Sequence, residues 1–174
     1  MLMNLFPPDA QQGGALPFVN LAGNIRIMLV SSRRRGRWGV PKGWAQKEET
    51  LVAAAEREAA EEAGVDGTAA ELPLGRYAYD KKMPEGYALR CEVVVFPLLV
   101  RSQAETWSED STRVRRWCDL GEASELVDDR SLGKLLADCS GDVAEHLRGF
   151  AAHHPEPSIL LSTQVVPPHG ASRP

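Results

Sequence analysis

Cysteine is scarce and poorly spaced for cysteine chemistry. Cys91, Cys118 and Cys139 form no CxxC pair and no Cys/His ligand pattern, which excludes a zinc-ribbon site and a disulfide framework and leaves reduced thiols as the expectation. Long apolar runs are missing too, since no window approaches the ~20 apolar residues of a membrane-spanning helix. The N-terminal MLMNLFPPDAQQGG has no basic region and Pro7 and Pro8 break its apolar run, so a signal peptide is not expected and the cytoplasm is the default. A positive excess is absent: 20 Lys and Arg stand against 24 Asp and Glu, for a net charge of −4. That argues against a general nucleic-acid binder. The four histidines, His146, His153, His154 and His169, cluster late in the chain and are given no role. With 174 residues, one domain with short extensions and a real core is expected.

What is present is an uneven distribution of charge. Arg26 to Lys47 carries seven basic residues and no acid, whereas Glu48 to Glu62 carries six acids and one base. Thr50 to Ala63 is rich in Ala, Leu and Glu, lacks Gly and Pro, and opens on a good capping residue, so the spacing predicts a helix. Glu58, Glu61 and Glu62 then stand at i, i+3 and i+4, on neighbouring ridges of one face. Like charges at that spacing cost a few tenths of a kcal/mol per pair, roughly, unless a cation sits among them. Oxygen-only ligands favour Mg²⁺ or Mn²⁺. A solvated acidic face is the plain alternative.

The surrounding pattern is Gly43, five residues, Glu49, seven residues, then Arg57-Glu58-Ala59-Ala60-Glu61-Glu62-Ala63-Gly64-Val65. This resembles the Nudix box, with every fixed polar and glycine position present in order. The one departure is Ala59, where the family carries a bulkier aliphatic residue, and it lets the helix sit closer to the sheet beneath it. The resemblance implies an α/β fold, an α/β/α sandwich around a mixed β-sheet. It implies a hydrolase that cleaves a phosphoanhydride bond with a divalent cation and a water nucleophile. Glu61 and Glu62 are then the main metal ligands, with Glu58 a third ligand or the base, and Gly43 lets backbone carbonyls turn toward the metal. Glu109 or Glu105 in a later loop is the alternative base, and Glu92 a further ligand. Glu49 and Arg57 are expected to pair and brace the loop against the helix.

Arg33, Arg35, Arg37 and Lys42 precede the box. A basic run can be a solvated loop, yet here it lies between a strand and the proposed metal loop, where polyphosphate oxygens need cations. Lys42 is the leading residue among them. Trp38 either stacks on a base or packs beside its strand. RGRWGVPKGW, EEAGVDG, Gly75-Arg76-Tyr77 and Trp107-Ser108-Glu109 are similar to the branch of diphosphoinositol polyphosphate phosphohydrolases and diadenosine polyphosphate hydrolases. A small polyphosphate substrate is implied. ADP-ribose or another nucleoside diphosphate sugar is the second choice, a non-catalytic nucleotide sensor the alternative of another class, and a homodimer a further possibility.

Along the chain, residues 1–14 read as a mobile arm, 15–153 as the domain and 154–174 as a Pro-rich tail. Ala15 to Leu21 and Asn24 to Ser31 read as a hairpin with Ala22-Gly23-Asn24 as turn chemistry between them. Asp66-Gly67 reads as the turn ending the box helix. Gly75 to Asp80 reads as a strand, Lys81 to Gly86 as a hairpin loop, and Arg90 to Arg101 as a central strand broken or at an edge at Pro97. Val114 to Asp119 reads as a last strand, followed by one or two helices. Ser158 to Val166 is apolar enough to dock on the body or on a second copy.

Overall fold

Two residues with positive φ build the first hairpin. Ala22 and Gly23 have φ of 50° and 90°, as a two-residue turn with right-handed strand twist requires. Asn20 Oδ1 accepts the Gly23 N–H at 2.9 Å. From this turn β1 (Gln11–Leu21) and β2 (Asn24–Ser31) run antiparallel. The structure, a computed structural model, describes residues 10–138 and 141–154.

The pairing of β1 with β2 stops at Phe18↔Ile27, and beyond that point the strands part. The short segment β3 (Trp38–Gly39) and β4 (Lys42–Trp44) fills the opening. β3 pairs with Val30 and Ser31 of β2, and β4 with Gln12 to Gly14 of β1. The Ala15 N–H donates to Pro41 O at 2.9 Å. This split carries Lys42 and Gly43 into the middle of the sheet.

β7 (Ala88–Gln103) is the central strand, parallel to β1 on one side. On its other side it is antiparallel to β6 (Gly75–Lys82) and then to β5 (Val65–Ala69). Pro97 neither breaks nor ends it. Its carbonyl accepts the Ala70 N–H at 2.8 Å, so its missing donor falls in the gap where β6 has ended and β5 has not begun. β8 (Arg115–Cys118) pairs with β2 and completes a mixed eight-stranded sheet.

One face is covered by α1 (Leu51–Ala63), where Ala55, Ala59 and Ala63 pack on Ala15, Val19, Val94 and Phe96. α2 (Leu120–Leu126), α3 (Arg130–Asp138) and α4 (Asp142–His153) cover the other. Their Leu120, Leu132, Leu136, Val143 and Leu147 meet Leu16, Phe18, Ile27, Val93 and Val95. The α/β/α sandwich expected from the sequence is present. No helix among the described residues is long and apolar enough to cross a membrane. Cys91 and Cys118 are buried free thiols; burial raises both, Cys118 to about 12.

Several expectations change. Residues 11–14 are not an irregular arm but the start of β1, and 1–9 lie outside the described residues. Gly13 explains the need for small residues there: a Cβ would lie 2.1 Å from Leu51 O and 3.0 Å from Ala55 N, so the backbone of α1 rests against the strand. Gly13→Ala therefore has to push the box helix off the sheet. We expect a loss of about 1–3 kcal/mol, the usual range for overpacking, read from a urea midpoint.

Gly64, not Asp66-Gly67, ends α1, with φ of 63° and its N–H donating to Ala59 O and Ala60 O. Asp66 and Gly67 sit within β5 at a register shift, where a Cβ on Gly67 would lie 2.1 Å from Leu99 O. Among the described residues three helices, rather than one or two, follow β8. The tail from 155, including Ser158 to Val166, and Cys139 lie outside the described residues.

Candidate functional site

Arg57 is the hub of the box. Its Nε and Nη2 donate to the two oxygens of Glu49 at 3.0 and 3.1 Å, and Nη2 also to Trp44 O at 2.9 Å. Nη1 donates to Glu58 Oε1 at 2.7 Å and to Glu61 Oε2 at 3.3 Å. Glu49 also accepts the Gln46 N–H at 2.8 Å, so the 44–49 loop is stapled to the helix. The helix itself starts where Thr50 Oγ1 accepts the Ala53 N–H, a side-chain cap that fixes the phase of every carboxylate after it.

The Arg57 hydrogen bonds, with help from the Gln46 N–H, hold the Glu49 carboxyl below the usual carboxylate range. A depressed folded pKa gives stability above the unfolded value, and that stability is lost as pH falls through the folded value. The stability gap between the wild type and Glu49→Gln should therefore be open at about pH 7 and narrow as pH falls below the unfolded carboxylate value, measured by urea unfolding across that range.

Glu62 lies at the sheet split. It is one of few buried charged residues, 7% exposed, and both its oxygens are engaged. Oε1 accepts from Arg113 Nη2 at 2.5 Å and Oε2 from the Lys42 N–H at 3.3 Å. Burial raises its carboxyl, opposed by the charges of Arg113 and Lys42. Arg113 also donates to Glu109 and, through Nη1, to Ser31 O at 2.9 Å, and Glu109 takes a second guanidinium from Arg33. The loop that carries these groups is pinned to the end of α1. Trp107 Nε1 donates to Glu62 O at 3.1 Å, and Arg115, stacked 4.0 Å over the Trp107 ring, donates to Ala63 O at 2.8 Å.

Among the described residues no three carboxylate, histidine or cysteine side chains converge as a ready-made ligand set. The guanidiniums of Arg57 and Arg113 take the cation's place among Glu58, Glu61 and Glu62. The donors nevertheless suit a hard divalent ion, being carboxylate and carbonyl oxygens only. The loop is also shaped for them, because a Cβ on Gly43 would lie 2.0 Å from Glu58 Oε1. Only glycine lets that carboxylate reach the loop backbone. Glu92 is bound by Gln11 Nε2 at 2.9 Å and Arg76 Nη1 at 3.0 Å. Glu105 is exposed.

Beside Glu62 opens a cavity of about 240 Å³ lined by Arg37, Trp38, Lys42, Tyr79, Arg113 and Asp128, among others. Lys42 Nζ lies 5.1 Å from the centre of the Tyr79 ring. Its burial lowers the ammonium pKa against the pull of Glu62. The Tyr79 hydroxyl donates to Gln12 Oε1 at 2.8 Å. Trp38 is half-buried against the core and lines the cavity as well; its N–H donates to Asp128 Oδ2 at 2.6 Å. Of the four basic residues singled out, Lys42 and Arg37 line the cavity, Arg33 is tied to Glu109 and Arg35 is exposed in the turn between β2 and β3. Arg113, Tyr79 and Asp128 line the cavity but were not legible as site residues, for the fold brings them there from parts of the chain far apart in sequence.

Residues 15–139 match the NUDIX domain family. The chain belongs to the Nudix family. Among curated Nudix relatives, Nudix hydrolase 12, mitochondrial, of Arabidopsis thaliana is 38% identical over 121 residues, covering 68% of this chain and 58% of that protein. Nudix hydrolase 21, chloroplastic, of the same plant is 39% identical over 115 residues, covering 66% and 56%. The chain thus spans a little over half the length of these relatives. Solved Nudix structures share the fold. A C. elegans Ap4A hydrolase binary complex superposes with a TM-score of 0.59 at 24% identity, covering 78% of this chain and 98% of that one. The NUDIX domain of Shewanella oneidensis NrtR, complexed with ADP ribose, gives 0.58 at 17% identity, covering 82% and 94%. The fold class and the family expected from the sequence both stand, and the hydrolase reading agrees with the names these relatives carry.

Proposed function

We propose that the protein is a Mg²⁺- or Mn²⁺-dependent pyrophosphohydrolase that cleaves a phosphoanhydride bond by attack of water, in a dinucleoside polyphosphate or diphosphoinositol polyphosphate. The observation that carries this reading is the placement of Glu58, Glu61 and Glu62 on one face of α1, with Glu62 hydrogen-bonded to Lys42 and Arg113, two residues that line the adjoining cavity. Glu58, Glu61, Glu62 and the Gly43 carbonyl would hold the cation, which supplies charge neutralisation at the phosphate oxygens. Lys42 and Arg37 hold further phosphate oxygens from the cavity wall, and Arg33 and Arg35 approach from the turn outside it. The base is Glu58, which accepts from one guanidinium, or Glu109, which accepts from two.

The cavity wall favours the nucleotide arm of this proposal. Trp38 and Tyr79 offer ring faces for a base. Asp128 and Asp129 line the same space; they suit hydroxyl or amino donors and repel a ring crowded with phosphates. Sugar hydroxyls meet the same carboxylates, which supports ADP-ribose or another nucleoside diphosphate sugar as the second reading. The fold neighbours named for Ap4A and ADP ribose show the fold alone at these identities. A sensor without turnover is disfavoured by an intact set of box carboxylates.

One panel tests the proposal. The purified protein, with Mg²⁺ or Mn²⁺, is given dinucleoside polyphosphates, inositol pyrophosphates and nucleoside diphosphate sugars, and products are resolved by mass. The expected result is fastest cleavage of a dinucleoside polyphosphate. Tight binding without products across the panel defeats the hydrolase reading.

A further inference from the structure

Arg113 holds an unusual position for a cation. Its side chain is 12% exposed and lies between two carboxylates of similar burial, Glu62 at 9% and Glu109 at 13%. It covers Oε1 of Glu62 while the Lys42 N–H donates to Oε2, so each Glu62 oxygen already accepts a hydrogen bond, and on Oε1 the donor is itself a cation. The charges of Glu62, Glu109, Arg113 and Arg33 sum to zero. A divalent ion brought to Glu62 with Arg113 still in place would set two cations against each other in a desolvated site.

We infer that Arg113 is an internal counter-cation that a divalent metal must displace from Glu62, and that Glu109 is the carboxylate onto which it withdraws. This rests on the proposed metal role of Glu62. The withdrawal is short, because Arg113 keeps its bonds to Ser31 O and Glu109 when Glu62 is released. Arg33, more than half exposed, supplies the second charge on Glu109 and leaves it as the metal enters. Metal affinity is then set by the fraction of time Glu62 is free of Arg113, as for any ligand whose competent state is only partly populated. Glu109 acts as a positioning residue, through Arg113.

Calorimetric titration of the full chain with Mn²⁺, without substrate, tests this on Arg113→Met and Glu109→Gln. Arg113→Met should bind Mn²⁺ about tenfold more tightly than the wild type if Glu62 is free about one-tenth of the time. Its metal-free melting temperature should fall, and Mn²⁺ should restore more of it than in the wild type. Glu109→Gln should bind Mn²⁺ more weakly, since Arg113 is left with Glu62 alone. Opposite signs in the two variants are the signature, because a merely structural role moves both the same way. Unchanged or weaker affinity in Arg113→Met overturns the inference, as does tighter binding in Glu109→Gln. If Arg113→Met does not fold, Arg113→Lys decides: it keeps the charge but loses the planar fork, and a smaller tightening is expected, with no tightening overturning the inference. Normal Mn²⁺ binding with no turnover of any polyphosphate would defeat the hydrolase reading alone. Normal turnover with unaltered affinity in Arg113→Met would defeat this inference alone.

Discussion

Glu62→Gln is expected to keep the fold and lose nearly all metal-dependent hydrolysis. The amide is close in size to the carboxylate, and its oxygen can still accept from the Lys42 N–H or Arg113 Nη2, which lie at 3.3 and 2.5 Å from Glu62. Burial already raises the Glu62 carboxyl, so removing its charge relieves a desolvation cost, while Arg113 retains Glu109 as a partner. The melting temperature should therefore change little. In the proposed reaction catalysis depends on the charge, because attack on a phosphorus shielded by anionic oxygens calls for a neutralising cation held by carboxylates. Such charge stabilisation is worth several kcal/mol, so turnover should fall by about three orders of magnitude, roughly 4 kcal/mol of barrier. Full activity in a folded Glu62→Gln would remove this carboxylate from the metal site.

Arg57→Ala should show the reverse weighting, with a large loss of stability and the activity lost along with it. Truncation leaves Glu49, Glu58 and Glu61 without their shared cation and Trp44 O without its donor. Breaking a fully buried pair from one side costs about 3–5 kcal/mol. Arg57 is 22% exposed and Glu49 16%, so about 2–3 kcal/mol is expected after solvent screening. For a domain of this size that corresponds to roughly 5–10 °C in melting temperature. Arg57→Lys should recover only part of it, because one ammonium cannot reproduce a planar fork that serves Glu49 on one side and Glu58 on the other. A melting temperature within a degree of the wild type in Arg57→Ala would show that the brace is dispensable.

The sequence carried the box because its information is local. Thr50 caps α1, Gly64 closes it in the left-handed region, and the spacing between them sets which carboxylates share a face. The hairpin at Ala22-Gly23 and the apolar run of β7 were legible for the same reason. Gln11 to Gly14 were not, since two glutamines and two glycines show no strand propensity. Their structure comes from partners, β4 on one side and β7 on the other, and from the need to let α1 approach. Asp66-Gly67 carried turn chemistry, which the fold uses for a register shift within β5. Pro97 signalled a break that the gap between β6 and β5 absorbs.

The site divides along the same line. Glu49, Arg57, Glu58, Glu61 and Glu62 lie within one segment and could be read together. Arg113 meets Glu62 from 51 residues away, and Tyr79 meets Gln12 from 67, contacts that only the sheet order creates. Glu109 was legible as a carboxylate near the site, whereas the two arginines that claim it were not.

The central claim is that water attacks a phosphoanhydride under the control of a divalent cation held by the box. The most direct measurement incubates the protein with Mg²⁺ and a dinucleoside polyphosphate in ¹⁸O-labelled water and weighs the products, with a chelator-treated control. The account predicts one labelled oxygen per bond cleaved, in one product only, and no cleavage with chelator. Bound but uncleaved substrate in the presence of Mg²⁺, or cleavage that persists unchanged with chelator, would contradict it.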